Sequence, residues 1–597
     1  MAQAKDTDAV NPAAARAVRR GPAALTPGVC GLLFAAAVLP VAAAPPDLIV
    51  HHGRIATVDA AFSIQEAMAV SEGRVVRIGP AAAVLSLRGP DTEVIDLEGR
   101  LVLPGLIDSH VHPLGAAMHE WDHEIPPMES IADVLDYVRS RAETLDDGAW
   151  IVVRQVFITR LAERRYPTKA ELDAAAPHNP VVFSIGPDAS VNSLALALSG
   201  IDKDFRPAST TARIERDPAT GEPTGILRNA GQFVKAAPTS RAATDEDRDA
   251  RLEALLRDYN SVGITGIIDR GATADTLARF ASLRSQGRLT VRVAASHTLS
   301  PGDGIEKLRR TIAELGRHPL RAPDDMLRLV GLKMWLDGGM LTGSALMREP
   351  WGVSRIYSIE DPRYRGMRFI EPDLLEQIVA AASENGLQFT AHSVGDAAVA
   401  ELLRVYEKVD ATTPVRPLRH CLTHANFVAD DSIALAARLG ATMDVQPVWL
   451  WLDSRVLLDQ FGQERLRSFQ PLKPLFDAGV VIGGGSDHMQ RIGAARAVNP
   501  YDPFLGMATA VTRLGRGLAE PVHPEHALSR EQAIRFYTVN NAYLMFLEER
   551  TGSLEPGKLA DFIVLDRDIL ACPPHEIREA KVLRTFLGGR QVFPAER

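Results

Sequence analysis

The stretch Val102-Leu103-Pro104-Gly105-Leu106-Ile107-Asp108-Ser109-His110-Val111-His112-Pro113 is typical of a short buried strand that follows a Pro-Gly turn and ends in two histidines. Successive side chains of a strand alternate between its faces, so residues two apart point the same way. His110 and His112 can therefore direct two imidazoles toward one point. Because neutral imidazole is the commonest protein ligand for metal ions, we interpret this pair as half of a metal site.

The composition is that of a soluble globular protein. The 597 residues are 46% hydrophobic and 24% charged, which suggests two or three structural units or one large barrel with additions. The net charge of −9 gives no reason to expect nucleic acid or an anionic membrane surface as a partner. The three cysteines, Cys30, Cys421 and Cys572, lack the spacing of a disulfide framework or a zinc site.

The first 46 residues resemble a leader rather than part of a fold. Arg16, Arg19 and Arg20 precede an apolar run over 29–41, which is followed by three alanines. This order is typical of a signal peptide, and the run is too short to span a membrane stably. We expect an exported, periplasmic protein, and the adjacent arginines suggest a twin-arginine signal. A misassigned start of the chain is the alternative.

The remaining chain predicts an α/β protein: a (β/α)8 TIM barrel with a small β-sandwich domain formed from both termini. Strand-like runs and turns occupy 47–103 and 547–597, which we assign to the sandwich. Residues 104–546 alternate strand and helix and predict the barrel. The 150 or so residues between His112 and Gly263 exceed an ordinary loop. Part of them is expected to supply another barrel unit, and the rest an inserted subdomain within about 125–250 at the barrel mouth.

Polar residues end several of the predicted barrel strands. The apolar runs are 263–269, 291–295, 329–335, 388–392, 421–424, 442–445 and 480–483, and a helix is predicted over 372–385. Barrel enzymes carry their chemistry at the carboxyl ends of the strands. Six residues at such ends form the candidate site: His110, His112, Lys333, His392, His424 and Asp487.

Together with its neighbours, this set resembles the amidohydrolase superfamily of metal-dependent hydrolases. The chain is similar to the amidohydrolase-3 branch, which includes N-substituted formamide deformylase-like enzymes, over about residues 47–590. The segments that carry the resemblance are 104–112, 221–227, 333–339, 391–396, 423–425, 446–447, 485–487 and 552–561.

The resemblance implies a site for one or two divalent ions, usually zinc. His110, His112 and Asp487 would bind the first ion, and His392 and His424 the second. Lys333 would bridge both ions if its amine is carboxylated. Asp487 would also be the catalytic residue that moves the proton between the attacking water and the leaving nitrogen. His488 stands where the branch often has an aromatic residue, and it is predicted either to bind substrate or to support the site from behind.

We therefore expect a hydrolase that cleaves a non-peptide C–N, amide-type bond of a small molecule by metal-activated hydroxide. One alternative is a mononuclear deaminase or cyclic-amide hydrolase in which Lys333 is only a polar neighbour. A second is an exported binding protein without catalysis. The resemblance also suggests a homodimer.

Overall fold

The structure, a computed structural model, describes residues 44–154, 156–208, 212–237 and 242–595. The predicted leader lies outside these residues except at its last three positions, as does Cys30, so export stays a prediction. Within the described ranges, no helix combines the length and the apolar character needed to cross a membrane.

Eight parallel strands form the central sheet and confirm the predicted barrel. Each strand is followed in space by its neighbour in chain order. The strands are β1 (Leu106–Val111), β2 (Ile264–Ala272), β3 (Arg292–Thr298), β4 (Leu327–Trp335), β5 (Gln388–Ser393), β6 (Cys421–His424), β7 (Thr442–Val445) and β8 (Ile482–Gly484).

The edge between β8 and β1 is closed by the segment that follows β8. The amide of Asp487 donates to the carbonyl of His110, and the amide of His112 donates to the carbonyl of His488, both at 2.8 Å. The side-chain amide of Asn541 also donates to the carbonyls of Ile107 and Gly484. The carboxyl ends of the first and last strands are therefore tied together where the candidate site residues lie.

Helices cover the outside of the barrel. Their apolar faces pack on the strands, and the largest core cluster joins side chains of β3 to β8 with those of the surrounding helices. The barrel and its C-terminal extension contain helices Asp245–Ser261, Ala274–Ser285, Ile305–Gly316, Pro372–Glu384, Asp396–Asp410, Asp430–Leu439, Pro447–Arg465, Leu472–Asp477, Pro503–Thr512, Arg530–Phe536 and Val539–Leu544.

The prediction of a further barrel unit between His112 and Gly263 is wrong. Strand β1 pairs directly with β2, with Ile264 opposite Leu106 and Ile267 opposite Asp108. The described residues between these strands form a separate five-stranded sheet instead. Its spatial order is Arg213–Arg216, Pro223–Arg228, Asp188–Val191, Val181–Ile185 and Ile151–Arg154, with helices Pro113–Met118, Ile131–Thr144, Lys169–Ala175 and Ser193–Ser199 nearby in the chain.

The two ends of the chain combine in two further sheets. Leu101–Pro104 pairs antiparallel with Phe562–Leu565, which joins an N-terminal strand to a C-terminal strand. The six-stranded sheet has the order Arg590–Phe593, Val582–Leu587, Phe562–Leu565, Leu101–Pro104, Arg54–Ala56 and Ile64–Gln65; the four-stranded sheet has the order Arg74–Gly79, Ala67–Ser71, Leu48–His51 and Glu93–Asp96. One buried cluster contains side chains of both sheets. The domain boundaries drawn from the sequence stay a prediction.

Candidate metal centre and active site

Three predicted ligands meet at the closed edge of the barrel. Nε2 of His110 and Nε2 of His112 are 3.2 Å apart. Oδ1 of Asp487 lies 3.3 Å from the first nitrogen and 3.2 Å from the second. Ligand atoms about 2.1 Å from a tetrahedral zinc ion would be about 3.4 Å apart. Three atoms that bring lone pairs together at this spacing fit a divalent cation between them.

His392 and His424 lie beside this group, at the ends of β5 and β6. Their ring centroids are 4.6 Å apart, and the ring of His424 stacks on that of His110 at 4.8 Å. His392 donates from Nε2 to the carbonyl of Gly338 at 3.3 Å, and His424 donates from Nδ1 to Oε1 of Gln446 at 2.8 Å. Each ring therefore keeps its other nitrogen unprotonated.

Lys333 is buried on β4 and lines the same cavity as the four histidines. Burial is the main cause that lowers the pKa of its amine to about 8. A lysine ammonium cannot bind a cation, but a neutral amine can be carboxylated. The structure thus brings all six residues of the predicted set into one place, while their roles as ligands stay a prediction.

Burial keeps three of the candidate imidazole ligands neutral, which is the protonation state that metal binding needs. Desolvation lowers the pKa of His110 and His424 well below the usual range and that of His392 to about 3. These imidazoles are therefore neutral at pH 7, before any ion is bound. Desolvation raises the pKa of Asp487, while the neighbouring His112 and Lys333 lower it.

Two residues of the site, Asp444 and Gln446, were missed in the sequence analysis. Nδ1 of His110 donates to Oδ1 of Asp444 at 2.9 Å, which fixes the tautomer that leaves Nε2 free. Gln446 holds His424 in the same way, and its amide donates to Oδ1 of Asp444 at 3.2 Å. Asp444 is a carboxylate in an apolar strand, and Gln446 is part of a matching motif. Those were the only signals in the sequence.

Backbone strain marks two of the ligand positions. His424 has a φ of 71°, the next residue, Ala425, has a φ of 40°, and Asp487 has a φ of 54°. Non-glycine residues rarely adopt this left-handed conformation, and it persists only where the surroundings enforce it. At Asp487, Asp108 does so by accepting hydrogen bonds from the amide and the hydroxyl of Ser486, at 3.1 and 2.6 Å. The strain thus lies at two candidate ligands, His424 and Asp487.

Of the two roles predicted for His488, substrate binding stays an untested prediction, and the surroundings of the ring favour a supporting role. Its ring is fully buried and lies outside the cavity lining. Tyr259 bonds to its Nδ1 at 2.8 Å, and its Nε2 lies 2.8 and 2.7 Å from the carbonyls of Gln490 and Arg491. Held by these partners, the ring lies beside Asp487 but outside the cavity lining.

The candidate ligands open into a cavity of about 300 Å³. Its other walls are mostly apolar: Phe157, Ile185, Pro187, Trp335, Met340, Leu341, Phe369, Val394, Trp449 and Met489. The charged lining residues are Lys333, Asp487 and Asp337, and the carboxylate of Asp337 is already bound by the amides of Leu346, Val394 and Gly395. Phe157, Ile185 and Pro187 come from the inserted region. This region therefore forms part of the wall, as predicted for an insertion at the barrel mouth.

Two known proteins are similar to nearly the whole chain. An N-substituted formamide deformylase of Arthrobacter pascens is 30% identical over 564 residues, which are 91% of this chain and 97% of the relative. A putative amidohydrolase of Bacillus subtilis, YtcJ, is 27% identical over 562 residues, 91% of this chain and 98% of the relative.

A solved structure shows the same fold. An uncharacterized metal-dependent hydrolase from Pyrococcus horikoshii matches with a TM-score of 0.64 at 24% identity, over 88% of this chain and 99% of that chain. The model of the amidohydrolase family matches residues 93–593, which include the barrel, the inserted sheet and all six candidate ligands. The chain therefore belongs to the amidohydrolase family, in the branch predicted from its motifs, and is a hydrolase.

Proposed function

We propose that this protein hydrolyses a non-peptide C–N bond of a neutral, apolar N-substituted amide, and that His110, His112 and Asp487 hold the divalent ion the reaction needs. The observation that carries the proposal is the convergence of three ligand atoms within 3.3 Å of one another at the end of an apolar cavity. Zinc suits a set of two imidazoles and one carboxylate. His392, His424 and carboxylated Lys333 would hold a second ion.

A bound divalent ion would lower the pKa of water toward 7 and polarise the amide carbonyl. The protein residues then divide the remaining work. Asp487 accepts the proton of the attacking water and delivers it to the leaving nitrogen, because an amide anion is a poor leaving group. Asp444 and Gln446 keep His110 and His424 in the orientation and tautomer that ligation needs.

The apolar walls support a neutral substrate. A substrate carboxylate or ammonium placed against them would lose its hydration without gaining a partner, since backbone amides already bind Asp337 and the proposed ions would engage Lys333 and Asp487. The half-exposed indole of Trp335 at the cavity offers a surface for the apolar substituent. The relative named as an N-substituted formamide deformylase supports formamides as the first substrates to test.

A matched pair of substrates tests the proposal. N-formylphenethylamine and N-formylphenylalanine differ only by a carboxylate, and the zinc-loaded full chain should release amine from the first. We expect its kcat/KM to exceed that of the second by at least about 100-fold, because the carboxylate would be buried without a partner. Preference for the charged substrate would contradict the neutral class. Cleavage of only cyclic amides, or deamination, would favour the alternative reactions.

A further inference from the structure

Arg270 is a fully buried residue of β2 whose guanidinium points into the barrel. One terminal nitrogen, Nη1, donates to Oγ of Ser296 at 3.0 Å and to Oε1 of Gln388 at 2.8 Å. The other, Nη2, donates to Sγ of Cys421 at 3.5 Å. These three partners lie on β3, β5 and β6, so the guanidinium is fixed from several sides of the barrel.

The remaining contact of Arg270 is with Asp444. Its Nε lies 3.1 Å from Oδ2 of Asp444, without the alignment of a hydrogen bond, so the contact is a charge pair. The other carboxylate oxygen, Oδ1, accepts the hydrogen bond from Nδ1 of His110. Asp444 thus stands between a fixed cation and a candidate metal ligand.

A buried carboxylate needs a compensating positive charge, and the surroundings of Asp444 offer few. Asp444 is fully buried, and in the described ranges its ion pairs are with Arg270 and His110. Lys333 is also close enough to interact with the charge of Asp444. In the proposed site, however, Lys333 loses its positive charge by carboxylation. Arg270 is then the permanent cation that accompanies this carboxylate.

We propose that Arg270 is a positioning residue for the metal centre: it holds Asp444 in place, and Asp444 orients His110 toward the ion. This inference rests on the proposed metal-dependent function. Arg270 itself does not line the cavity, so it acts only through Asp444. The planar guanidinium of Arg270 has several hydrogen-bond donors in fixed directions, so it can fix the carboxylate of Asp444 better than a lysine ammonium would.

The test is the zinc affinity of the full chain, measured by competition with a chromophoric chelator, together with the visible spectrum of the cobalt-loaded protein. We expect Arg270→Met to weaken zinc binding about 10- to 100-fold, the usual effect of losing a residue that supports a ligand. Arg270→Lys keeps the charge but not the planar guanidinium, so it should lose zinc affinity by a smaller but measurable factor of about 3- to 10-fold. In the double variant with Asp444→Asn, the loss should not exceed that of Asp444→Asn alone.

Arg292→Met is the matched control. Arg292 is also buried on a barrel strand and forms a bidentate pair with a buried carboxylate, that of Asp561, at 2.6 and 2.7 Å. Its pair lies at the opposite end of the barrel, so its loss should lower stability but leave zinc affinity and the cobalt spectrum unchanged.

The outcomes separate the inference from the function it rests on. Wild-type zinc affinity in Arg270→Met overturns the inference and leaves the proposed metal site intact. If that variant does not fold, wild-type zinc affinity and a wild-type cobalt spectrum in Arg270→Lys overturn the inference. A zinc loss in Arg292→Met equal to that in Arg270→Met also overturns it. A wild-type protein that binds no zinc contradicts the proposed function itself.

Discussion

Gly271 offers a direct test of the ligand geometry, because the ring of His112 packs against this residue of β2. A methyl group at position 271 would lie 2.4 Å from Nδ1 and 2.9 Å from Cε1 of His112. The backbone of Gly271 is outside the left-handed region, so alanine itself would not be strained there. Gly271→Ala therefore acts on the site only by displacing the imidazole of His112.

The size of the effect follows from the distances. Ordinary contacts of a methyl carbon begin near 3.4 Å, so the His112 ring has to retreat by about 1 Å. Its Nε2 lies 3.2 Å from both partner ligand atoms, and metal–ligand distances tolerate only about 0.2 Å. Displacing one of three ligands by that much should weaken zinc binding at least about 10- to 100-fold, or about 1.4 to 2.8 kcal/mol.

The assay is chelator competition for zinc, with thermal unfolding of the metal-free protein as a check on the fold. Gly115→Ala is the matched control, because it lies three residues after His112 and a methyl group there meets nothing within 4 Å. That variant should bind zinc as the wild type does and be equally or more stable, since alanine favours the helix. Wild-type zinc affinity in Gly271→Ala would refute the placement of His112 as a ligand.

Three further predictions concern other residues of the site. Asp487→Asn should lower kcat about 10²- to 10⁴-fold while substrate binding is kept, because the side-chain amide cannot carry the proton. Steady-state kinetics measure this effect, and an unchanged kcat would exclude Asp487 as the proton carrier. Because burial lowers the pKa of Lys333 to about 8, its amine is mostly protonated at pH 7 and mostly neutral at pH 9. Carboxylation should therefore increase over this range in ¹³C NMR with labelled bicarbonate, and a carbamate signal that persists in Lys333→Met would contradict its assignment. Trp335→Ala should raise KM for apolar amides several-fold with little change in kcat, because the indole is proposed only to bind the substituent. A fall in kcat alone would argue against that role.

The barrel could be predicted because its strands carry their own signal. Runs such as Cys421–His424 and Thr442–Val445 are short, with a polar residue at the end or directly after it, His424 and Gln446, and the structure has these two strands with the predicted bounds. The misplaced barrel unit between β1 and β2 has a simple cause. The length of a loop does not by itself show whether it contains a barrel strand. The pairing of Ile264 with Leu106 depends on contacts between residues far apart in the chain, which the sequence does not reveal.

The candidate ligands could be predicted because they occupy strand ends. The residues that support them from neighbouring strands could not be predicted. His110 and Asp444 are 334 residues apart in sequence, and only the closed barrel brings Nδ1 of one to Oδ1 of the other. The same holds for Arg270 and its partners on other strands. For His488 the sequence left both roles open, and only the buried partners of its ring in the structure favour a supporting role.

The most direct test of the account is the number of zinc ions per chain, measured by mass spectrometry on the full-length protein reconstituted with zinc and bicarbonate. We predict at least one tightly bound ion, lost in His110→Ala, and two ions if carboxylated Lys333 completes the second position. One ion in both the wild type and Lys333→Met would restrict the site to His110, His112 and Asp487. No stoichiometric zinc in the wild-type protein would contradict the central claim that these residues form a metal centre.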